Sequence, residues 1–346
     1  MLVAIITDTH FGARSESKVF ADYFDQFLDG VFFPELNRRN ITTVIHLGDL
    51  MDRRKYTNHQ IAARMLTSFI DRLKDRQLII TVGNHDAPFK DSLKANAVDV
   101  FLGHRRNIQI VQTPTFLPFG LVMPWICAEN RELTNAAIAK AHSMKTKTVM
   151  GHFEMTGFER QRGQISDIGI DPDAFYGFPC VLSGHYHHKS DKLNIHYLGA
   201  PYEIDWNDYD DPKGFHLFNT ETLQLDFIRN PFRMHYKLEY DDRESQPNVP
   251  DIELAGRIIR VIVHARTQPK VFDTFMRELD NREPSNITVM DDHLVQLTEG
   301  NTEEAEVKDT LEVLTACIDG ITDTVDKVRL KGFLTDLYRE AVKVNS

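Results

Sequence analysis

Cysteine is scarce in this chain: its 346 residues carry only Cys127, Cys180 and Cys317, far apart and without any CxxC pair. That excludes a disulfide framework and a thiolate zinc cluster, and it points to reduced structural thiols in a cytosolic protein. No apolar run approaches the roughly 18 residues that a membrane helix needs, so no membrane span is expected. Met1 to Ile6 is too short for a signal-peptide core. Internal repeats and low-complexity stretches are also missing. So is an excess of positive charge: 40 Lys and Arg stand against 51 Asp and Glu, a net −11. Bulk electrostatics therefore gives no support to nucleic-acid binding. The balance is uneven along the chain, since residues 1–150 hold 19 Lys and Arg against 15 Asp and Glu. Carboxylates that hold cations count as negative in such a tally although bound ions would reverse the local potential.

What is present is an alternation of strand-like and helix-like segments over residues 1–230, in a chain long enough for one large domain and one or two small ones. Phe20, Phe24, Phe27, Val31 and Phe32 repeat at helical spacing, as do Ile61, Met65, Phe69 and Leu73. Between and around them run the apolar segments Leu2 to Ile6, Thr43 to Leu47 and Leu78 to Val82. This order predicts a parallel sheet with helical crossovers, whose ligands collect at the carboxyl ends of the strands. Ile108 to Val111, Thr115 to Leu117 and Leu121 to Met123 predict short strands, and Arg131 to His142 a helix. Ile195 to Leu198, Gly214 to Phe218 and Gln224 to Ile228 suggest an antiparallel run completing a second sheet. Asp241 to Asp251, with Pro247 and Pro250, suggests a linker. Beyond it Ile258 to Ala265, Lys270 to Leu279, Ile287 to Met290 and Leu294 to Leu297 predict a small α/β unit. Its Arg257, Arg260 and Arg266 suit either phosphate contacts or a solvated strand edge. Residues 302–346 predict two helices parted at Gly320, one striped by Val307, Leu311, Leu314 and Ile318, the other by Val325, Leu330, Leu334 and Leu337. The stripes need a surface to cover, on this protein or on a partner helix.

Five of the strand-like runs end in polar turns rich in ligand-type side chains. They are Asp8-Thr9-His10, Gly48-Asp49, Gly83-Asn84-His85-Asp86, Gly151-His152 and Gly184-His185-Tyr186-His187. Alternate residues of an extended segment point the same way, which would aim Asp8 with His10, and His185 with His187, at one point each. Asp8, Asp49 and Asn84 offer oxygen, and His10, His152, His185 and His187 offer nitrogen. Seven ligands are too many for one small cation with an open position. They suit two cations sharing a carboxylate, the arrangement that clamps a phosphoryl group. Ligation without cysteine favours Mn²⁺ or Fe over structural zinc. His85 stands beside a ligand but points elsewhere, and Asp86 is placed to hold its second ring nitrogen. That would make His85 able to protonate a leaving oxygen.

Taken together, D-x-H, G-D, G-N-H-D, G-H and G-H-x-H in this order resemble the calcineurin-like metallophosphoesterase superfamily over residues 1–230. Within it the chain is similar to the SbcD/Mre-type nuclease subunits of recombination and repair complexes. Gly48-Asp49-Leu50-Met51-Asp52-Arg53, the Leu198-Gly199-Ala200-Pro201 turn and the small unit and helices that follow carry that likeness. Pro124 to Asn130 looks like the form carried by T-even-type bacteriophages. The resemblance implies an α/β/β/α two-sheet sandwich over 1–238, a DNA-capping domain over 239–300, and a helical segment over 301–346. It implies one Mn²⁺ (or Mg²⁺ or Fe²⁺) held by Asp8, His10, Asp49 and His187, and a second by Asp49, Asn84, His152 and His185. His85, supported by Asp86, would be the catalytic histidine. Arg53 and Arg54 would lie near DNA. Leu311, Leu314, Ile318, Leu334 and Leu337 would dock on an SbcC/Rad-type coiled-coil ATPase, and the nuclease domain would form a homodimer. The activities implied are Mn²⁺-dependent 3′-to-5′ exonuclease and single-strand endonuclease, acting in the cytoplasm (of the host, for a phage protein). One departure is Asp52, where many cellular members carry His. With Arg53 it resembles the G-D-x-x-D-R of protein phosphatases, although Asp86 and Arg54 depart from that group's pattern. The alternatives are a phosphatase or cyclic-nucleotide phosphodiesterase with the same site, and a non-catalytic scaffold that binds DNA ends.

Overall fold

The computed structural model describes residues 1–243, 247–291 and 331. Two six-stranded sheets face each other. In the first, Leu2–Ile6, Thr43–His46, Gln77–Thr81 and Ile108–Val111 run parallel in that order. Helical stretches connect them. Lys18–Arg38 and His59–Leu73 each carry a π-helical segment, at Leu28–Phe32 and Met65–Ile70. Asn58 starts the second by accepting the Gln60 amide. In the other sheet Gly120–Met123, Thr148–His152, Cys180–Gly184 and Ile195–Tyr197 are parallel neighbours. Short antiparallel strands, Thr115–Leu117 and Ser190–Lys192, close its two edges.

The layers follow from the strand sequences. In Leu2–Ile6 every side chain but the first is buried, as a strand covered on both faces requires. Val3 and Ile5 point between the sheets, with Ile45, Leu47, Ile79, Met150, Leu182 and Phe218. Ala4 and Ile6 point out, under Phe24, Phe27, Phe32 and Phe69 of the helices. On the far side Val149 and Val181 pack against Ala137, Ile138 and Ala141 of the helix Arg131–Ser143. The result is the α/β/β/α sandwich expected from the sequence.

Two expectations are corrected. Gly214–Asn219 and Leu225–Arg229 do not complete the second sheet but extend the first, with Gly214–Asn219 antiparallel to Leu2–Ile6. The first strand of a parallel set leaves one edge unpaired, and a returning hairpin covers it. Ile195–Tyr197 pairs parallel, not antiparallel, with Cys180–Gly184. The segment read as a linker is also more engaged than its prolines suggest. His235–Asp241 is already a strand, parallel to Ile258–Ala265, which in turn pairs with Asn286–Asp291. Val249 and Leu254 are buried in this unit's core with Tyr240, Phe272 and Phe275. Asp242 accepts the amides of Thr267 and Gln268 at the start of the helix Pro269–Asp280. Residues 301–330 and 332–346, with the expected docking residues Leu311, Leu314, Ile318, Leu334 and Leu337, lie outside the described residues, as does Leu294 to Leu297. Among the described residues no helix is long and apolar enough to cross a membrane.

Candidate metal centre

Every motif turn leaves the carboxyl end of a strand: Leu2–Ile6, Thr43–His46 and Gln77–Thr81 in one sheet, Thr148–His152 and Cys180–Gly184 in the other. These strands are neighbours within each sheet, so the five turns converge on one lip of the sandwich. Close approach of main chains makes the lip compact. A side chain at Gly83 would begin 2.2 Å from Asp49 Oδ1, and one at Gly184 would begin 2.1 Å from Thr7 Oγ1 and 2.9 Å from Asp8 Oδ2. Neither position tolerates a Cβ.

Asp8 and His10 do converge, but not through extended backbone. Asp8, His10, Asp49 and His185 all have positive φ, at 51°, 42°, 55° and 87°. Left-handed conformations are strained for such residues and persist only when the surroundings hold them. Here the surroundings are hydrogen bonds. Thr7 Oγ1 donates to Asp8 Oδ2 at 2.6 Å, the His185 amide donates to the same carboxylate at 3.1 Å, and Tyr202 donates to the Thr9 carbonyl at 3.0 Å.

The ligand atoms expected from the sequence form two groups: Asp8, His10 and His187 are one, and Asp49, His152 and His185 the other, each with donor atoms within 4.8 Å of one another; His10 also shares a third such group with Asp52 and His85. Asp49 Oδ2 stands between the first two, 3.7 Å from His10 Nε2 and 3.2 Å from His152 Nε2. Asn84 Oδ1 completes the second group, 3.0 Å from His152 Nε2 and 3.1 Å from His185 Nδ1. In the first, His10 Nε2 and His187 Nε2 face each other at 3.0 Å. Metal–nitrogen bonds of about 2.1 Å set neighbouring donors roughly 3.0–3.4 Å apart, so these spacings are those of coordination shells. His152 shows why a positive charge is required. Its Nδ1 faces the Leu47 carbonyl at 2.7 Å, which can only accept. A neutral His152 would then turn a lone pair toward two oxygens, those of Asn84 and Asp49. Either a proton or a cation must stand among these three atoms.

The electrostatics show the same strain. Burial opposes ionisation of Asp49, yet His152, His85 and His10 around it hold its carboxyl well below the usual carboxylate range. Burial would lower His152, but Asp49 overrides it and pushes the ring up to about 9. Burial and the facing His187 hold His10 well below the usual imidazole value, and burial also lowers His185. One site thus wants positive charge at His152 and lone pairs at His10 and His185. A divalent cation in each group meets both demands.

Asp86 does not hold the His85 ring. Its carboxylate turns inward and accepts the amides of Gly83 at 2.9 Å, Asp49 at 3.0 Å and Met51 at 3.0 Å. Burial and the nearby Asp49 push its carboxyl up to about 7. Three unpaired amides at the base of two motif turns are a stronger demand than one imidazole nitrogen, and they capture the carboxylate. His85 instead places Nδ1 2.6 Å from the Asp52 main-chain carbonyl, so Nδ1 carries the proton there. Its ring stands edge-on to His10, with centroids 4.9 Å apart. Arg53 is half exposed and paired with Glu16 at 3.6 Å, while Arg54 is partly buried.

Sequence reading missed several neighbours of the centre. Lys213 is buried and donates to the His187 carbonyl at 2.7 Å and to Asp211 at 2.8 Å, with Asp208 at 2.6 Å. Asp211 also meets the His188 ring at 2.8 Å. These residues stand in a charged loop that reads as solvated, and no local signal marks their burial. Trp125 lies 5.0 Å from the His185 ring and Glu154 Oε1 3.6 Å from His185 Nε2. Glu154 was within reach of the alternation rule, two residues beyond His152.

The chain is 27% identical over 358 aligned residues, 99% of its length and 100% of the other's, to Exonuclease subunit 1 of Enterobacteria phage T4. A solved archaeal phosphodiesterase is 13% identical, with a TM-score of 0.33, covering 66% of this chain and 100% of that one. The nuclease MPE of Pseudomonas putida is 14% identical, with a TM-score of 0.30, covering 64% and 86%. Both structures are too distant to inform the site. The family model described as calcineurin-like phosphoesterase matches residues 1–189, more than half of the chain. With two donor clusters sharing Asp49 at the lip of a two-sheet sandwich, the chain belongs to the calcineurin-like phosphoesterase family, and it is a metal-dependent phosphoesterase.

Proposed function

We propose that this chain is the nuclease subunit of a DNA-processing complex, cleaving phosphodiesters as a 3′-to-5′ exonuclease and a single-strand endonuclease with two Mn²⁺. The observation that carries the reading is Asp49, one carboxylate shared by two nitrogen-rich clusters. The full-length similarity to a phage protein named as an exonuclease subunit supports DNA as the substrate and a partner as part of the assembly. Asp8, His10, Asp49 and His187 would hold one cation, and Asp49, Asn84, His152 and His185 the other. Such a pair neutralises charge on the phosphate and supplies a nucleophile at neutral pH. The protein's own part is to fix and to deliver protons. Asp86 ties the Asn84 and Asp49 turns together through three amides. His85, with Nδ1–H committed to the Asp52 carbonyl, keeps Nε2 for the proton that the departing 3′ oxygen takes up as the P–O bond breaks. Residues 239–300 would cap the DNA, and 301–346 would dock on a coiled-coil ATPase, the nuclease domain pairing with a second copy.

The test is turnover of labelled DNA and of bis(p-nitrophenyl) phosphate by the purified chain with Mn²⁺. Release of nucleotides from the 3′ end and nicking of single strands are expected. Turnover of the small ester, or of a cyclic nucleotide, with none of the DNA would establish a phosphatase-type enzyme instead. Inertness toward every ester would leave a DNA-end scaffold. Removal of 302–346 should preserve Mn²⁺ uptake and abolish co-purification with the ATPase.

A further inference from the structure

A histidine that gives one ring nitrogen to a cation carries its proton on the other, and in a buried site that N–H needs an acceptor. His152 meets this demand with main chain, since its Nδ1 faces the Leu47 carbonyl. His10 and His185, one in each cluster, have no such carbonyl. The His10 Nε2 atom faces His187 and Asp49, so a cation there would leave the proton on Nδ1. That atom is buried and has no hydrogen-bond partner. What it faces is Asp52 Oδ1, at 3.6 Å. His185 is the mirror case: Nδ1 faces Asn84, and the far Nε2 faces Glu154 Oε1, again at 3.6 Å. Both acids are partly exposed.

We infer that Asp52 and Glu154 are positioning residues, one for each cation, and that each takes up the far N–H of a single ligating histidine. The inference rests on the two-cation reading above. A carboxylate behind an imidazole fixes its tautomer and its ring orientation and makes the ligating nitrogen more basic. Losing it typically costs about 10–100-fold in metal affinity. Because the two acids back different clusters, their effects separate. Asp52 reaches the centre by its main-chain carbonyl, which faces His85 Nδ1, and by its side chain, which faces His10 and lies within 4.8 Å of a His85 ring nitrogen; only the side chain's hold on His10 belongs to this role.

The experiment is a Mn²⁺ titration of the full chain, followed by calorimetry and by the electron paramagnetic resonance of free and bound Mn²⁺. Wild type should take up two ions. Asp52→Asn should weaken one of them roughly 10–100-fold and leave the other near its original affinity, and Glu154→Gln should weaken the other one. Asp52→Glu, which keeps the carboxylate, should recover most of the lost affinity. A folding defect would instead lower both affinities together in either variant, and that outcome overturns the assignment. So do two variants that bind both ions as wild type does. A third Mn²⁺ on wild type, lost in Asp52→Asn, would make Asp52 a ligand rather than a support and likewise overturns it. Fewer than two ions on wild type would remove the two-cation reading itself. Intact two-ion binding with no DNA cleavage would remove only the nuclease reading.

Discussion

The carboxylate of Asp86 accepts the main-chain amide of Asp49 at 3.0 Å, across 37 residues of chain, and so pins the shared ligand from behind. The same carboxylate takes the amides of Gly83 and Met51. Asp86 thus acts on the geometry of the centre, its carboxylate bonded to these amides and not to the His85 ring.

Replacing Asp86 should therefore look structural first. Asp86→Ala leaves three buried amides unpaired, at about 1–3 kcal/mol each before relaxation. Urea unfolding should show a loss of at least ~2 kcal/mol, and Mn²⁺ uptake should fall. Wild-type stability with only a slower turnover would return Asp86 to the role of a partner for His85.

His85→Ala is the contrasting case. Its ring belongs neither to the Asp8, His10 and His187 group nor to the Asp49, His152 and His185 group, so the chain should still bind two Mn²⁺ while cleavage slows by at least ~10²-fold, the usual range for a proton-transfer group. Single-turnover kinetics on labelled DNA measures this. An unchanged rate would take His85 out of the mechanism.

Chelation should destabilise the fold. A cation that binds only the native centre adds about 2.7 kcal/mol at a hundredfold excess over its Kd. Thermal unfolding with saturating Mn²⁺ should thus lie several degrees above unfolding in EDTA, and the gap should vanish in Asp49→Asn. Equal transitions with and without the ion would mean that the clusters do not hold it.

His216 offers a test outside the two clusters. It is buried, with no partner for either ring nitrogen, and burial pushes its ring down to about 3. The unfolded chain binds that proton from about pH 6.5 downward and the folded chain does not. Stability should therefore fall as pH drops through this window, by up to ~1.4 kcal/mol per pH unit for this one group. In EDTA, His216→Phe should be more stable than wild type by about 1 kcal/mol at pH 7, with a shallower loss toward pH 5. Parallel pH profiles for the two proteins would show that the ring finds a partner.

Much of this was readable before folding is considered, and for definite reasons. Leu2 to Ile6 is buried on both faces, so its apolar run declares itself. Asp8, Asp49, Asn84, His152, His185 and His187 follow such runs directly, and a strand end fixes where they emerge. What failed to read depended on distant partners. Asp86 lies next to His85 in the chain, yet its oxygens are claimed by amides of another turn. The left-handed backbone at Asp8 and His10 depends on Thr7 and Tyr202, the latter from far along the chain.

The order of residues alone determined that His, Asp and Asn donors would leave consecutive strand ends, because that is a local consequence of side-chain chemistry and hydrophobic periodicity. Only the tertiary structure decided which nitrogen of each histidine faces inward, which acid stands behind it, and that Gly214–Asn219 returns to the first sheet. Those outcomes are competitions among groups far apart in the chain. Packing two sheets lip to lip is what sets the distances that settle them.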